Sequence, residues 1–169
     1  MKKLVVCFVL LWATVGINAY VPQSGGVDVT NTIELYALDG KADIKMSNNK
    51  KVVVLHVFAS WCGYCRKEHE LWKGINKIEG VEYYAVSYRE QGEYGKRFLE
   101  TSGNNPFDRH LMLDLDNAKK INVHMIPDTI VMYNNKILAR NRGTMNKDKF
   151  EKFTGEKLQK AIASVGKVN

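Results

Sequence analysis

The chain is poor in cysteine, with three in 169 residues, at Cys7, Cys62 and Cys65. Cys7 lies inside an N-terminal apolar run and reads as a small hydrophobe. The body therefore holds one pair, which excludes a disulfide-stapled scaffold. Proline is equally scarce, limited to Pro22, Pro106 and Pro127. There is no internal repeat and no low-complexity tract. Basic charge is in excess, formally +7, but it is not gathered into a stripe. Lys2 and Lys3 are the only charges among the first 19 residues, and the remainder is scattered apart from Lys50-Lys51 and a Lys-rich last segment. Such a distribution describes a solvated surface, not a nucleic-acid footprint. What is left, 45% hydrophobic and 25% charged, is an ordinary single globular domain.

Met1-Lys2-Lys3 followed by Leu4 to Ile17 reads as a basic and then an apolar export region, with Ile17-Asn18-Ala19 as a cleavage site. The apolar run is short for a bilayer span, which needs ~20 residues. Cleavage after Ala19 is expected, making residues 1–19 a signal peptide. The alternative is an uncleaved inner-membrane anchor over residues 4–21. In both cases the domain works outside the cytoplasm, in a periplasmic or similar compartment where disulfide chemistry is permitted. Residues 20–32, with Pro22 and Ser24-Gly25-Gly26, read as a linker, and residues 33–165 as one domain.

Val52 to Leu71 organises that domain. Val52-Val53-Val54-Leu55-His56-Val57-Phe58 is a β-branched, apolar run that predicts a buried strand. Small residues then turn the chain, and a polar helix begins at the first cysteine of Trp61-Cys62-Gly63-Tyr64-Cys65. Two intervening residues let both sulfurs meet within the first helical turn. Cys62, at the helix start, is expected near unpaired N–H groups and the positive end of the dipole, which favours thiolate. Arg66 and Lys67 add positive potential, and Cys65 is expected to be more buried, suited to resolving a mixed disulfide.

Around this stretch, strands are predicted at Ile33 to Leu38 and Ala42 to Met46 about an Asp39-Gly40 turn, and again at Val81 to Tyr88. The motif helix is expected to run to Ile78, with Trp72 in the core and Gly80 closing it. A helix over Glu93 to Thr101, a short strand at His110 to Leu113 and one helical turn at Asn117 to Ile121 follow. After Ile126-Pro127-Asp128-Thr129 come an apolar strand to Tyr133, an Asn134-Asn135 turn and a return strand over Lys136 to Arg142. A final amphipathic helix, about Asn146 to Val165, turns Phe150, Phe153, Leu158 and Ile162 towards the core.

This order resembles the thioredoxin fold: a central mixed sheet flanked by helices, here with an N-terminal hairpin and a central insertion. Within that superfamily it is similar to the extracytoplasmic TlpA/ResA type, and closest to the CcmG/DsbE proteins of cytochrome c maturation. Three features carry the resemblance: Trp61-Cys62-x-x-Cys65-Arg66-x-Glu68-His69; Val86-Ser87-Tyr88-Arg89-Glu90 before a helix ending in Gly103-Asn104-x-Pro106; and Val123-x-x-x-Pro127 followed by an acidic residue and Thr129. The resemblance implies a cis Ile126-Pro127 bond facing the cysteine pair, which X-Pro adopts cheaply. Trp61, Ile126 and Pro127 become expected substrate contacts.

The resemblance also gives Glu68 a role in tuning thiol acidity. As a lone glutamate it would be an exposed first-turn acid complementing the helix dipole. Asp128 is a second candidate for proton transfer. His56 departs from the pattern, which has Asp or Asn six residues before the first cysteine. It reads either as an acceptor for the proton of Cys65 or as a buried histidine bonded to backbone. Gly63-Tyr64 also departs from it, being the dipeptide of DsbC-type isomerases.

The implied activity is thiol–disulfide exchange without a cofactor, reducing protein disulfides such as those of apocytochrome c with electrons from a membrane thiol donor. A monomer is expected. A general disulfide oxidase or isomerase is the alternative. A metal-binding chaperone would use Cys62, Cys65 and His69, with His110 and His124 elsewhere, but no second ligand pair follows at knuckle spacing.

Overall fold

The computed structural model describes residues 27–29 and 32–166, so the expected export segment lies outside the described residues. At its centre is β4, Val52–Phe58, a strand buried at every position, as its unbroken apolar run predicts. The chain leaves β4 through a tight turn into α1, Gly63–Trp72, and returns parallel to β4 as β5, Val81–Tyr88. Then follow α2, Gly92–Thr101, β6, Arg109–Leu113, parallel to β5, and α3, Leu115–Lys120. A hairpin of β7, Asp128–Tyr133, and β8, Lys136–Arg142, turns at Asn134-Asn135, both at positive φ, and lays β7 antiparallel along β4.

Before β4, β2 (Glu34–Tyr36) and β3 (Ala42–Lys45) form the expected N-terminal hairpin, joined to the sheet through β6. Two residues of the stretch read as linker also enter the sheet. Val27–Asp28 form β1, an edge strand antiparallel to β8. The eight strands run in the order β1-β8-β7-β4-β5-β6-β2-β3, a mixed sheet as expected.

The pleat sends alternate residues of β4 to opposite faces. Val52, Val54 and Phe58 meet Trp72 of α1, Leu99 of α2, and Phe150, Phe153 and Leu158 of the C-terminal helical segment. Val53, Leu55 and Val57 meet Ile33, Met46, Leu111, Ala118 and Ile121 on the other face.

Two helices differ from expectation. The first ends at Trp72, not Ile78: Gly74 follows at once, a residue unfavourable inside helices, and Ile75 donates back to Trp72 in a tightened last turn. Ile75 and Ile78 still pack on the core, from irregular chain. The C-terminal segment is not one regular helix. It runs as α4, Lys147–Lys152, a π turn over Phe153–Lys157, and α5, Leu158–Val165. The widened turn matches the five-residue step between Phe153 and Leu158, both buried.

Candidate active site

Cys62 is the N-cap of α1, in extended conformation, and its sulfur accepts from the backbone N–H of Cys65 at 3.1 Å. Cys62 and Cys65 form a disulfide with Cα atoms 5.2 Å apart. Cys65 is fully enclosed, whereas Cys62 retains 7% exposure. The two sulfurs thus occupy the expected positions, one at the helix start and one a turn inside. Trp61 and Tyr64 stand largely in solvent beside them, at 61% and 64% exposure.

Pro127 immediately precedes β7, and the register pairs Asp128 with Val57. It therefore stands by the end of β4 from which the redox turn leaves. The Ile126–Pro127 bond is cis, as expected. Ile126 is half-buried and packs against both core clusters, and the carbonyl of Pro127 accepts from Gly143.

Glu68 is not the exposed first-turn acid that a lone glutamate suggests. It is 1% exposed, on the face of α1 that also carries Cys65, His69 and Trp72. Its carboxyl accepts from the Met145 backbone N–H at 2.6 Å and from the Trp72 indole at 3.4 Å. Burial outweighs these bonds and pushes its pKa up to about 7.

His56 Nδ1 lies 3.6 Å from Glu68 Oε1, and this nitrogen has no hydrogen-bond partner among the described residues. The backbone-bonded reading fails at this nitrogen. The ring is packed among Phe58, Phe107 and Trp72 at centroid distances of 5.9, 5.6 and 5.3 Å. Burial, with a smaller push from His69, holds its pKa down at about 3. A neutral imidazole and a carboxyl titrating near neutrality thus face each other one helical turn beyond Cys65. With its proton on, Glu68 leaves the pair uncharged in the core, and a pKa near neutrality lets that carboxyl give the proton up or take it back.

Asp128 is placed for a different task. It is fully buried on the opposite face of the sheet, in a bidentate pair with Arg140, whose Nε donates at 2.9 Å. The same guanidinium donates to the carbonyls of Ile121 at 2.6 Å and Asn122 at 2.9 Å. Burial raises the pKa of Asp128 and Arg140 opposes that rise. Asp128 therefore anchors the chain leading to Pro127, and its oxygens are committed to Arg140. Sequence reasoning missed Arg140, one of three cations on a half-buried strand outside every motif.

Among the described residues, no group of three His, Cys, Asp or Glu side chains is arranged to hold a metal. His69 is enclosed, with Phe98 at 5.1 Å and Phe107 at 6.1 Å, and burial lowers its pKa. His124 is exposed and contacts the Asn122 carbonyl. His110 packs against Phe58, with ring centroids 6.0 Å apart.

Known proteins resemble the chain in sequence and in fold. A thiol:disulfide interchange protein, CycY, from Rhizobium leguminosarum bv. viciae is 39% identical over 54 residues, 32% of this chain and 29% of the relative. Thiol:disulfide interchange protein DsbE from Escherichia coli is 29% identical over 122 residues, 64% of this chain and 63% of the relative. The chain thus matches less than two thirds of these relatives' length. The thioredoxin domain of a thiol-disulfide oxidoreductase from Bacteroides vulgatus shares the fold, with a TM-score of 0.59 at 19% identity over 78% of this chain and 96% of that one. The family model described as thioredoxin-like domain matches residues 39–157, well over half the chain and the whole of the redox site. This match, spanning the cysteine pair at the N-terminus of α1, places the chain in the thioredoxin-like family.

Proposed function

We propose that the protein is an extracytoplasmic thiol–disulfide oxidoreductase that donates electrons from a Cys62–Cys65 dithiol to protein disulfides. The observation that carries this reading is the position of Cys62: N-cap of α1, partly exposed, beside a fully enclosed Cys65. Unpaired N–H groups and the helix dipole favour its thiolate. That thiolate attacks one sulfur of the substrate disulfide, forming a mixed disulfide and releasing the other substrate sulfur as a thiolate. Cys65 then loses its proton and attacks the sulfur of Cys62, which frees the second substrate thiol and leaves the Cys62–Cys65 disulfide. Two electrons pass to the substrate, and a thiol donor must restore the dithiol.

The Glu68–His56 pair supports the resolving step. Glu68 lies one turn beyond Cys65 on the same buried face and has a pKa near 7, so its carboxylate form can take the Cys65 proton. By the resemblance to the cytochrome c maturation proteins, the substrate is apocytochrome c and the donor a membrane thiol protein. Trp61, Ile126 and Pro127 are the substrate contacts, and Trp61 is the most exposed of them. The basic and apolar start of the sequence supports export, by a cleaved signal or an anchor. Among the described residues no helix is long and apolar enough to cross a membrane.

Trapping tests the assignment. Cys65→Ser should accumulate mixed disulfides with substrate through Cys62, and Cys62→Ser should form none. In the reduced protein Cys62 should alkylate well below the ordinary cysteine pKa of ~8.5. Faster alkylation of Cys65 at acidic pH would overturn the order of attack.

A further inference from the structure

A second polar cluster lies on the redox side of the sheet, and the exchange chemistry above does not use it. Its centre is Glu90, just beyond β5. One oxygen, Oε2, accepts from both the backbone N–H and the hydroxyl of Ser60, at 2.9 and 2.6 Å. The other, Oε1, accepts from the Ser87 hydroxyl at 3.0 Å. Ser87 Oγ also lies 2.8 Å from His110 Nε2. A carboxylate has no proton to give, so the single proton of Ser87 goes to Glu90 and Ser87 must accept from His110. The direction of the chain is therefore fixed: His110 Nε2–H to Ser87 Oγ–H to Glu90. Burial holds His110 neutral, with a pKa lowered to about 4.

Ser60 is held from the other side as well. Its carbonyl accepts from Arg66 Nε at 2.6 Å, and the carbonyl of the preceding Ala59 accepts from the Cys62 N–H at 3.0 Å. Every polar group of Ser60 is thus committed, and the next two residues are Trp61 and Cys62. The cluster also fits closely under α2. A Cβ at Gly95 would stand 2.1 Å from Ser87 Oγ, so only glycine lets the helix pass. Strands β5 and β6 and helix α2 therefore reach the redox turn through one carboxylate.

We propose that Glu90 is the positioning residue of the redox turn: hung from His110 through Ser87, it fixes Ser60 and, with it, the Trp61–Cys62 pair that meets the substrate. The proposal rests on the exchange activity proposed above. Glu90 touches neither sulfur, and its effect runs through the placement of the turn. Glu90→Ala removes both bonds to Ser60. Glu90→Gln keeps an oxygen that can accept them and loses only the charge, at the expense of reversing the Ser87–His110 chain.

The test measures reduction of a cystine-bridged model peptide by the reduced full-length protein, with urea unfolding of each variant alongside. Loss of hydrogen bonds to a charged group predicts that Glu90→Ala lowers kcat/KM about tenfold. Glu90→Gln should recover most of that loss. Ser60→Ala should lose less than Glu90→Ala, and adding it to Glu90→Ala should change little further, because both act through one contact. An active wild type with undiminished folded Glu90→Ala would overturn the proposal and leave the exchange activity standing. So would losses in the two single variants that multiply in the double. If Glu90→Ala does not fold, Ser60→Ala decides: a rate equal to wild type would overturn it. An inactive wild type would instead refute the exchange activity itself.

Discussion

The two faces of the sheet treat buried polar groups in opposite ways. On the redox face, His56, His69, His110 and Thr129 each bury a nitrogen or oxygen with no hydrogen-bond partner among the described residues. Glu68, on the same side, is left with a pKa near neutrality. On the far face the main buried charge is Asp128, and it is matched by a bidentate pair with Arg140, whose guanidinium also donates to two backbone carbonyls. The cross-strand register makes the contrast local: His56 stands opposite Thr129, and its neighbour Val57 stands opposite Asp128. One face thus keeps polar groups with spare capacity to bind or lose a proton, and the other uses its polar groups as a fastening. Spare capacity costs stability, because unsatisfied buried groups lose their hydration without return. It suits a thiol pair that must exchange protons as it exchanges electrons.

Removing the fastening should have the largest effect on stability. Asp128→Ala leaves the largely enclosed Arg140 guanidinium without its counter-charge, and breaking such a pair costs about 3–5 kcal/mol. Urea unfolding should show that loss. A loss below ~1 kcal/mol would mean that the far face is no better satisfied than the near one.

The next effect is a change of sign with pH. Glu68 has its pKa raised from an ordinary 4.5 to about 7, so the folded chain keeps a proton that the unfolded chain gives up. Its contribution to stability falls as pH rises through that window. His56 has its pKa lowered from 6.5 to about 3, so the unfolded chain binds a proton that the folded chain refuses, and its contribution falls as pH drops below 6.5. Where the windows overlap, each slope is about 1.4 kcal/mol per pH unit and the two cancel. Unfolding free energies across that overlap should therefore tilt in opposite directions relative to wild type. His56→Asn should lose stability as pH rises, and Glu68→Gln should gain it. Parallel profiles would show that the pair does not hold one proton between two sites.

The legibility of the molecule in its sequence follows the same division. Strand β4, the cysteine pair, the N-terminal hairpin and the segment before β7 are local patterns of a few residues, and each was readable. The buried face of α1 was not. Cys65, Glu68, His69 and Trp72 fall at helical spacing, but two of the four are polar, and a reading by hydropathy puts polar residues in water. Glu68 was found as a candidate only through the resemblance, and its burial not at all. Arg140 had no signal, since its partner lies 12 residues earlier across a hairpin whose register only the structure supplies. The early end of α1 was present in Gly74 but was outvoted by Ile75 and Ile78, which kept the period.

The smallest expected effect is a gain. Thr129 Oγ1 is enclosed without a partner among the described residues, so Thr129→Val replaces a costly hydroxyl by a methyl group of the same shape. Stability should rise by ~1 kcal/mol in the same urea experiment. A loss of that size would reveal a bond that the hydroxyl makes.

The central claim is that this chain donates electrons, and equilibration of the Cys62–Cys65 pair with glutathione tests it most directly. A reductant must hold a potential below that of its substrates, since ~30 mV corresponds to ~1.4 kcal/mol for two electrons. The pair should settle at a value more negative than the ~−180 mV of protein disulfide isomerase. A value near ~−120 mV, as in the strong oxidant DsbA, would contradict it.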